Sequence, residues 1–139
     1  MRAAIVARMS RHNVALTSAS LLAILLVTFH ISEDIVRGFE PGGFKNVRGM
    51  FTMAVWLYGT LALAERRSGY VVTLLGSLLG FVVSLAHLRG AGLVGGRIAN
   101  SSGQLFWVWT VFALGVTSLL AIVLSAQGLW TLRRGRSTP

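Results

Sequence analysis

The stretch YVVTLLGSLLGFVVSLAHL, residues 70–88, contains no Asp, Glu, Lys or Arg. Wound as a helix at 1.5 Å per residue it runs about 28 Å, close to the roughly 30 Å hydrocarbon core of a bilayer. Within it Thr73, Gly76, Gly80, Ser84 and His87 recur at spacings of three and four, which gathers them on one helical face. Lipid tails are as apolar as leucine, so helices in a membrane associate where small residues let backbones approach, and Gly76-x-x-x-Gly80 offers such a place. This segment therefore reads as a membrane span with an inward face of small residues.

Working outward, three more segments have the same character: Val14–Ile31, Val47–Ala64 and Gln104–Ala126, the last able to continue to Leu132. The fold class expected is an all-α membrane protein, a four-transmembrane-helix bundle forming a single integral domain over residues 1–139. Composition agrees, because 54% of the residues are hydrophobic and only 12% are charged, about half the usual charged fraction of a soluble domain. A signal peptide is the rival reading of the first segment, since Arg2, Arg8 and Arg11 precede it. Its apolar run, however, exceeds the roughly 7–15 residues of a signal core and is followed by His30, Glu33 and Asp34 instead of a small-residue cleavage site, so a retained helix is expected. Asn13 is placed to cap that helix.

The net charge of +9 lies in the gaps between apolar runs and forms no basic face on a helix, which argues against nucleic acid as a partner. One side of the bilayer would hold Arg2, Arg8, Arg11, Arg66, Arg67, Arg133, Arg134 and Arg136, against Arg37, Lys45, Arg48, Arg89 and Arg97 on the other. The richer side is cytoplasmic by the positive-inside rule, so both termini are expected there, in the plasma (inner) membrane. Trp107 and Trp109 at one end of the fourth segment, and Trp130 and Tyr70 at the opposite level, read as interfacial aromatics. The outer loops would be 32–49, with the turn signal Glu40-Pro41-Gly42-Gly43, and the glycine-rich 89–103, which includes the sequon Asn100-Ser101-Ser102.

Inward stripes are expected on two other helices: Ala19, Ala23, Val27, His30 and Asp34 on the first, and Ala113, Thr117, Ala121 and Ser125 on the fourth. Tyr58, near the middle of the second, is expected to find a hydroxyl partner or line a cavity. The chain has no cysteine, which removes thiolate metal sites, iron–sulfur clusters and thiol catalysis. It also has no glycine-rich phosphate loop, Gly-x-Ser-x-Gly elbow or His-Glu-x-x-His motif.

The residues that could carry chemistry are His30, Glu33, Asp34 and His87. Spacings of three and four put both carboxylates beside His30 on one face. The first and third helices run in the same direction, and His30 and His87 stand at nearly equal depth, so the two should share a layer. Imidazole with carboxylate suits a transition metal such as Zn, Cu or Fe, for which His30, Glu33, Asp34 and His87 are the candidate ligands. Two imidazoles alone, His30 and His87, could instead ligate a haem. Proton-coupled transport is disfavoured, because no span has an ionisable group at its middle. Two readings of function follow. One is an accessory or assembly partner acting through packing stripes and outer loops, with a membrane-protein partner or a second copy of itself. The alternative is a metal- or haem-binding membrane protein, redox or enzymatic, with its site at the outer ends of helices one and three.

Overall fold

The structure, a computed structural model, describes residues 2–89 and 103–135. They form four α-helices, α1 (Arg2–Val36), α2 (Val47–Leu61), α3 (Arg67–Arg89) and α4 (Gln104–Arg134), with one 3-10 turn at Gly43–Asn46. No strand occurs among the described residues. The sequon Asn100-Ser101-Ser102, Arg97, Arg136 and the glycines between residues 90 and 102 lie outside them.

Three helices are long and apolar enough to cross a membrane, over Arg11–Val36, Arg67–His87 and Leu105–Arg134. With 15 residues, α2 is about 22 Å long and falls short of that length. It ends at Leu61, before the expected Ala64, where the chain turns and Glu65 takes a left-handed φ of 66°. At the other extreme, α1 begins far ahead of Asn13, which is therefore not a cap but sits within the helix. It also runs five residues past Ile31, through part of the expected loop. Nothing in 2–36 is glycine or proline, and the Glu33–Arg37 pair is spaced for a helix, so the first break comes at Gly38 with φ 73°. There the carbonyl of Asp34 accepts from the N–H groups of Phe39 and Glu40 at 2.8 and 3.2 Å, closing the helix end.

The packing inverts the pattern of a water-soluble protein. Leu22, Leu25, Phe29, Leu75, Leu79, Phe112 and Leu119 are exposed, whereas Ser20, Ser77, Ser84, Ser118, Ser125, Thr60 and Thr73 are buried. Lipid is the solvent in which that arrangement is stable. α4 packs along both α1 and α3, and α2 lies against α3 and, over a shorter stretch, α1; Trp56 of α2 shares a buried apolar cluster with Leu114 of α4. Gly76 sits against the Trp56 indole, and Gly80 faces Ser118 on α4. The α1 stripe is buried as expected, at Ala19, Ala23, Val27, His30 and Asp34.

Two expectations are corrected. The buried face of α4 is Trp107, Val111, Leu114, Ser118, Ala121, Ser125 and Gly128, whereas Ala113 and Thr117 are only half-buried. Tyr58 is 61% exposed on the outer side of α2, and its neighbour Trp56 takes the interior position instead. The Trp56 indole N–H donates to Ser20 Oγ at 2.9 Å, and Ser20 and Thr60 share a hydroxyl bond of 2.7 Å. Thr60 gives its own proton to the Trp56 carbonyl, so Ser20 is the donor between them. The network fastens α1 to α2 with every buried polar group in it satisfied.

Candidate metal centre

At the end of the bundle where α1 and α3 finish and α4 begins, three polar side chains meet. His30 and Asp34 come from the last turns of α1, and His87 from the last turn of α3. One ligand atom from each of His30, Asp34 and His87 lies within 4.8 Å of the others. His30 is 3% exposed and Asp34 9%, so both are held out of solvent.

Two members of the cluster, His87 and Asp34, are oriented by hydrogen bonds to groups outside it. The Nδ1 of His87 lies 2.8 Å from the carbonyl of Val83; a carbonyl only accepts, so Nδ1 carries the proton and Nε2 keeps its lone pair on the neutral ring. A backbone carbonyl holding one imidazole N–H is a common device for presenting the other nitrogen to a metal. The indole N–H of Trp107 donates to Asp34 Oδ1 at 3.2 Å, which leaves Oδ2 facing His30. His30 Nε2 stands 3.4 Å from that Oδ2, and His30 Nδ1 is buried with no hydrogen-bond partner. A separation of 3.4 Å is long for a charge-assisted hydrogen bond, ~2.7–2.9 Å. It matches the edge of a tetrahedron whose two ligand atoms are each ~2.0–2.1 Å from a zinc-sized ion.

Trp107 packs against both imidazoles, with ring centroids 5.9 Å from His30 and 5.3 Å from His87. The two imidazoles are 4.5 Å apart and nearly perpendicular, at 86°. A macrocycle ligated on both faces would need a slab between them, with two bonds of ~2 Å and the ring centres further out still. The closed, edge-to-face pair suits a compact ion.

Glu33 sits apart from this cluster. Its Oε1 accepts from Arg37 Nη2 at 2.7 Å and Nε at 2.9 Å, beside Gly103 at the start of α4. A carboxylate at that position is favoured by the helix dipole. Of the four candidates read from the sequence, His30, Asp34 and His87 converge and Glu33 pairs elsewhere.

Trp107 and His12 are not among the candidates the sequence offers, and only Trp107 takes part in the cluster. Trp107 read as a belt aromatic, but it is 2% exposed and its N–H supports Asp34. The only sign available was a tryptophan near the level of two histidines. His12 lies at the opposite end, with its ring 6.3 Å from Tyr70 and its Nε2 buried without a partner. Beside it Tyr70 OH donates to Asn13 Oδ1 at 2.9 Å, and Asn13 Nδ2 donates to Glu65 Oε1.

The cluster forms one wall of a crevice of about 970 Å³, bounded by α1, the Gly43–Asn46 turn, α2 and α3. Its remaining walls are largely apolar, from Val27, Ile31, Val47, Met50 and Met53.

No protein-family profile matches the chain. It is 29% identical over 99 residues to a protein of Helicobacter pylori named as a probable lipid II flippase, MurJ. The aligned part covers 70% of this chain and 20% of that protein, so the chain spans about a fifth of its relative. No solved structure matches. The apolar helices and this similarity to a membrane protein establish a membrane protein, and no particular activity.

Proposed function

We propose that this chain is a multi-pass protein of the plasma (inner) membrane that binds a divalent transition-metal ion through His30, Asp34 and His87. The observation that carries the reading is the convergence of two imidazoles and a carboxylate from two helices, with His87 and Asp34 each oriented by a partner outside the cluster. Buried ionisable groups are costly in a membrane and so point to a function, and an ion would satisfy all three at once. The assembly reading is weakened by packing. Ala19, Ala23, Gly76, Gly80 and Ala121 are already covered by the chain's own helices.

The four-span topology belongs to the same proposal. What supports it is the exposed apolar face of α2, with Met50, Phe51, Val55, Leu57 and Leu61 turned outward, preceded by an exposed Phe44. A short helix spans by thinning the bilayer locally or by extension through flanking segments. With four spans the arginine count puts both ends in the cytoplasm and the histidine cluster at the outer level. The likeness to a stretch of a protein named for lipid transport fits a chain whose crevice opens among lipids.

Two measurements test this. Purified protein in a neutral detergent, loaded with Zn²⁺ or Co²⁺ and desalted, should retain about one ion per chain. His30→Ala and His87→Ala should each lose it. A wild type that retains no ion after loading rules the metal centre out. Reporters active on only one side of the membrane, fused to either end, should both read cytoplasmic, and an exterior C-terminus would overturn the span count.

A further inference from the structure

The crevice says what the ion would meet. Two imidazoles and one carboxylate are three protein ligands, and a zinc-like ion takes four; structural sites close the fourth position with protein, whereas functional ones leave it open. Among the described residues no further His, Asp or Glu joins the cluster. All three ligand residues line the crevice, which therefore offers a fourth ligand a route to the cluster. At about 970 Å³ the crevice lies at the upper end of the ~300–1,000 Å³ typical of small-molecule sites.

Its walls are unequal in character. Beyond the cluster run Val27, Ile31, Val47, Met50 and Met53, and Met50 is 63% exposed at the surface. Unbranched methionines adapt to flexible apolar ligands. Polar lining comes from the cluster, from Thr28 and Ser32 on α1, and from the Glu40–Asn46 segment, where Glu40 is exposed at the rim. A divalent ion with one carboxylate and two neutral imidazoles carries net +1, which an anionic oxygen donor in the fourth position would neutralise.

We infer that the fourth position takes the anionic oxygen headgroup of a single-chain amphiphile, a carboxylate or phosphate, whose hydrocarbon tail lies in the crevice along Val27, Ile31, Met50 and Met53. This rests on the metal reading above and adds the class of molecule that the ion binds. The ion supplies the headgroup contact, and the α1–α2–α3 crevice supplies selection by chain length.

Co²⁺-loaded protein in dodecyl maltoside gives the test, because the visible bands of Co²⁺ report its ligands. Decanoate and decyl phosphate are titrated against acetate and inorganic phosphate. At least one ten-carbon probe should shift the bands at a tenfold or more lower total concentration than its short counterpart. Met50→Trp, a change at an exposed crevice position, should retain Co²⁺ and lose most of that chain-length advantage. If Co²⁺ binds and neither ten-carbon probe outperforms its short analogue, the inference fails while the metal centre stands. An advantage that persists undiminished in Met50→Trp reflects concentration in the micelle alone, and equally overturns it. If no Co²⁺ binds, the metal centre fails and this inference with it.

Discussion

The indole N–H of Trp107 reaches from the first turn of α4 to Asp34 Oδ1 on α1, at 3.2 Å, in a place where neither residue is more than 9% exposed. That bond fixes which carboxylate oxygen turns toward His30. It also ties the start of α4 to the end of α1, so the geometry of the cluster depends on a residue that ligates nothing.

Trp107→Phe keeps most of the ring volume and removes the donor. Groups that orient metal ligands are typically worth 10–100-fold in affinity. The variant should bind Zn²⁺ at least tenfold more weakly in a competitive chelator titration while remaining folded by circular dichroism. Unchanged affinity would show that the bond does not set the ligand geometry.

Asp34→Asn separates a metal site from an ordinary buried pair. The amide can still accept from Trp107, but the buried charge is gone. Without an ion, a carboxylate 9% exposed is a burden, so with chelator present the variant should unfold no earlier than the wild type. With free ion near 100 times its dissociation constant, binding should add roughly 2.7 kcal/mol to the wild type and less than half of that to the variant. Thermal unfolding followed by intrinsic fluorescence, with and without Zn²⁺, reads both arms.

Much of this arrangement was legible in the sequence, and the failures have physical causes. The apolar runs located three long helices because hydrocarbon thickness sets a minimum length. Equal depth on two parallel helices placed His30 and His87 together. The stripe on α4 was misphased because Ala113, Thr117, Ala121 and Ser125 are uniformly four apart. Each step of four turns a helix about 40° beyond a full circle, so such a row winds around the surface. The true face alternates four and three, from Trp107 through Val111, Leu114, Ser118 and Ala121 to Ser125. Trp107 reads as an interfacial aromatic because an indole at an interface and an indole donating into a buried cluster have the same sequence signature. Glu33 and Asp34 are adjacent in sequence yet diverge, since successive helical positions are about 100° apart: one turns to Arg37 and the other to His30.

Gly76 is tied to Trp56. A side chain at Gly76 would run into the indole, which itself is held by Ser20. Gly76→Val should therefore destabilise by about 1–3 kcal/mol through overpacking. Combining it with Trp56→Leu, which vacates the contested space, should cost less than the sum of the two single changes. A coupling of roughly 0.5–3 kcal/mol is the expected range for residues in contact. Unfolding titrations of the four proteins in mixed micelles measure it, and strict additivity would mean that the two do not share that space.

At the far end of the bundle, Asn13 ties α1 both to α3 and to the turn that precedes it. It accepts from Tyr70 OH on α3 and donates to Glu65, the residue whose left-handed backbone forms the α2–α3 turn. That conformation costs a non-glycine residue about 1–2 kcal/mol, and the Asn13 bond helps to offset it. Asn13→Leu is close in size and can do neither job, leaving the Tyr70 hydroxyl without this acceptor on a residue 6% exposed. The expected loss is about 1–3 kcal/mol. Tyr70→Phe removes the other half of the bond, so adding it to Asn13→Leu should cost far less than it does in the wild type. Metal binding, at His30 and Asp34 respectively 17 and 21 residues further along α1, should be unaffected in all three variants. A fall in ion affinity there would mean that the two ends of the bundle communicate through α1.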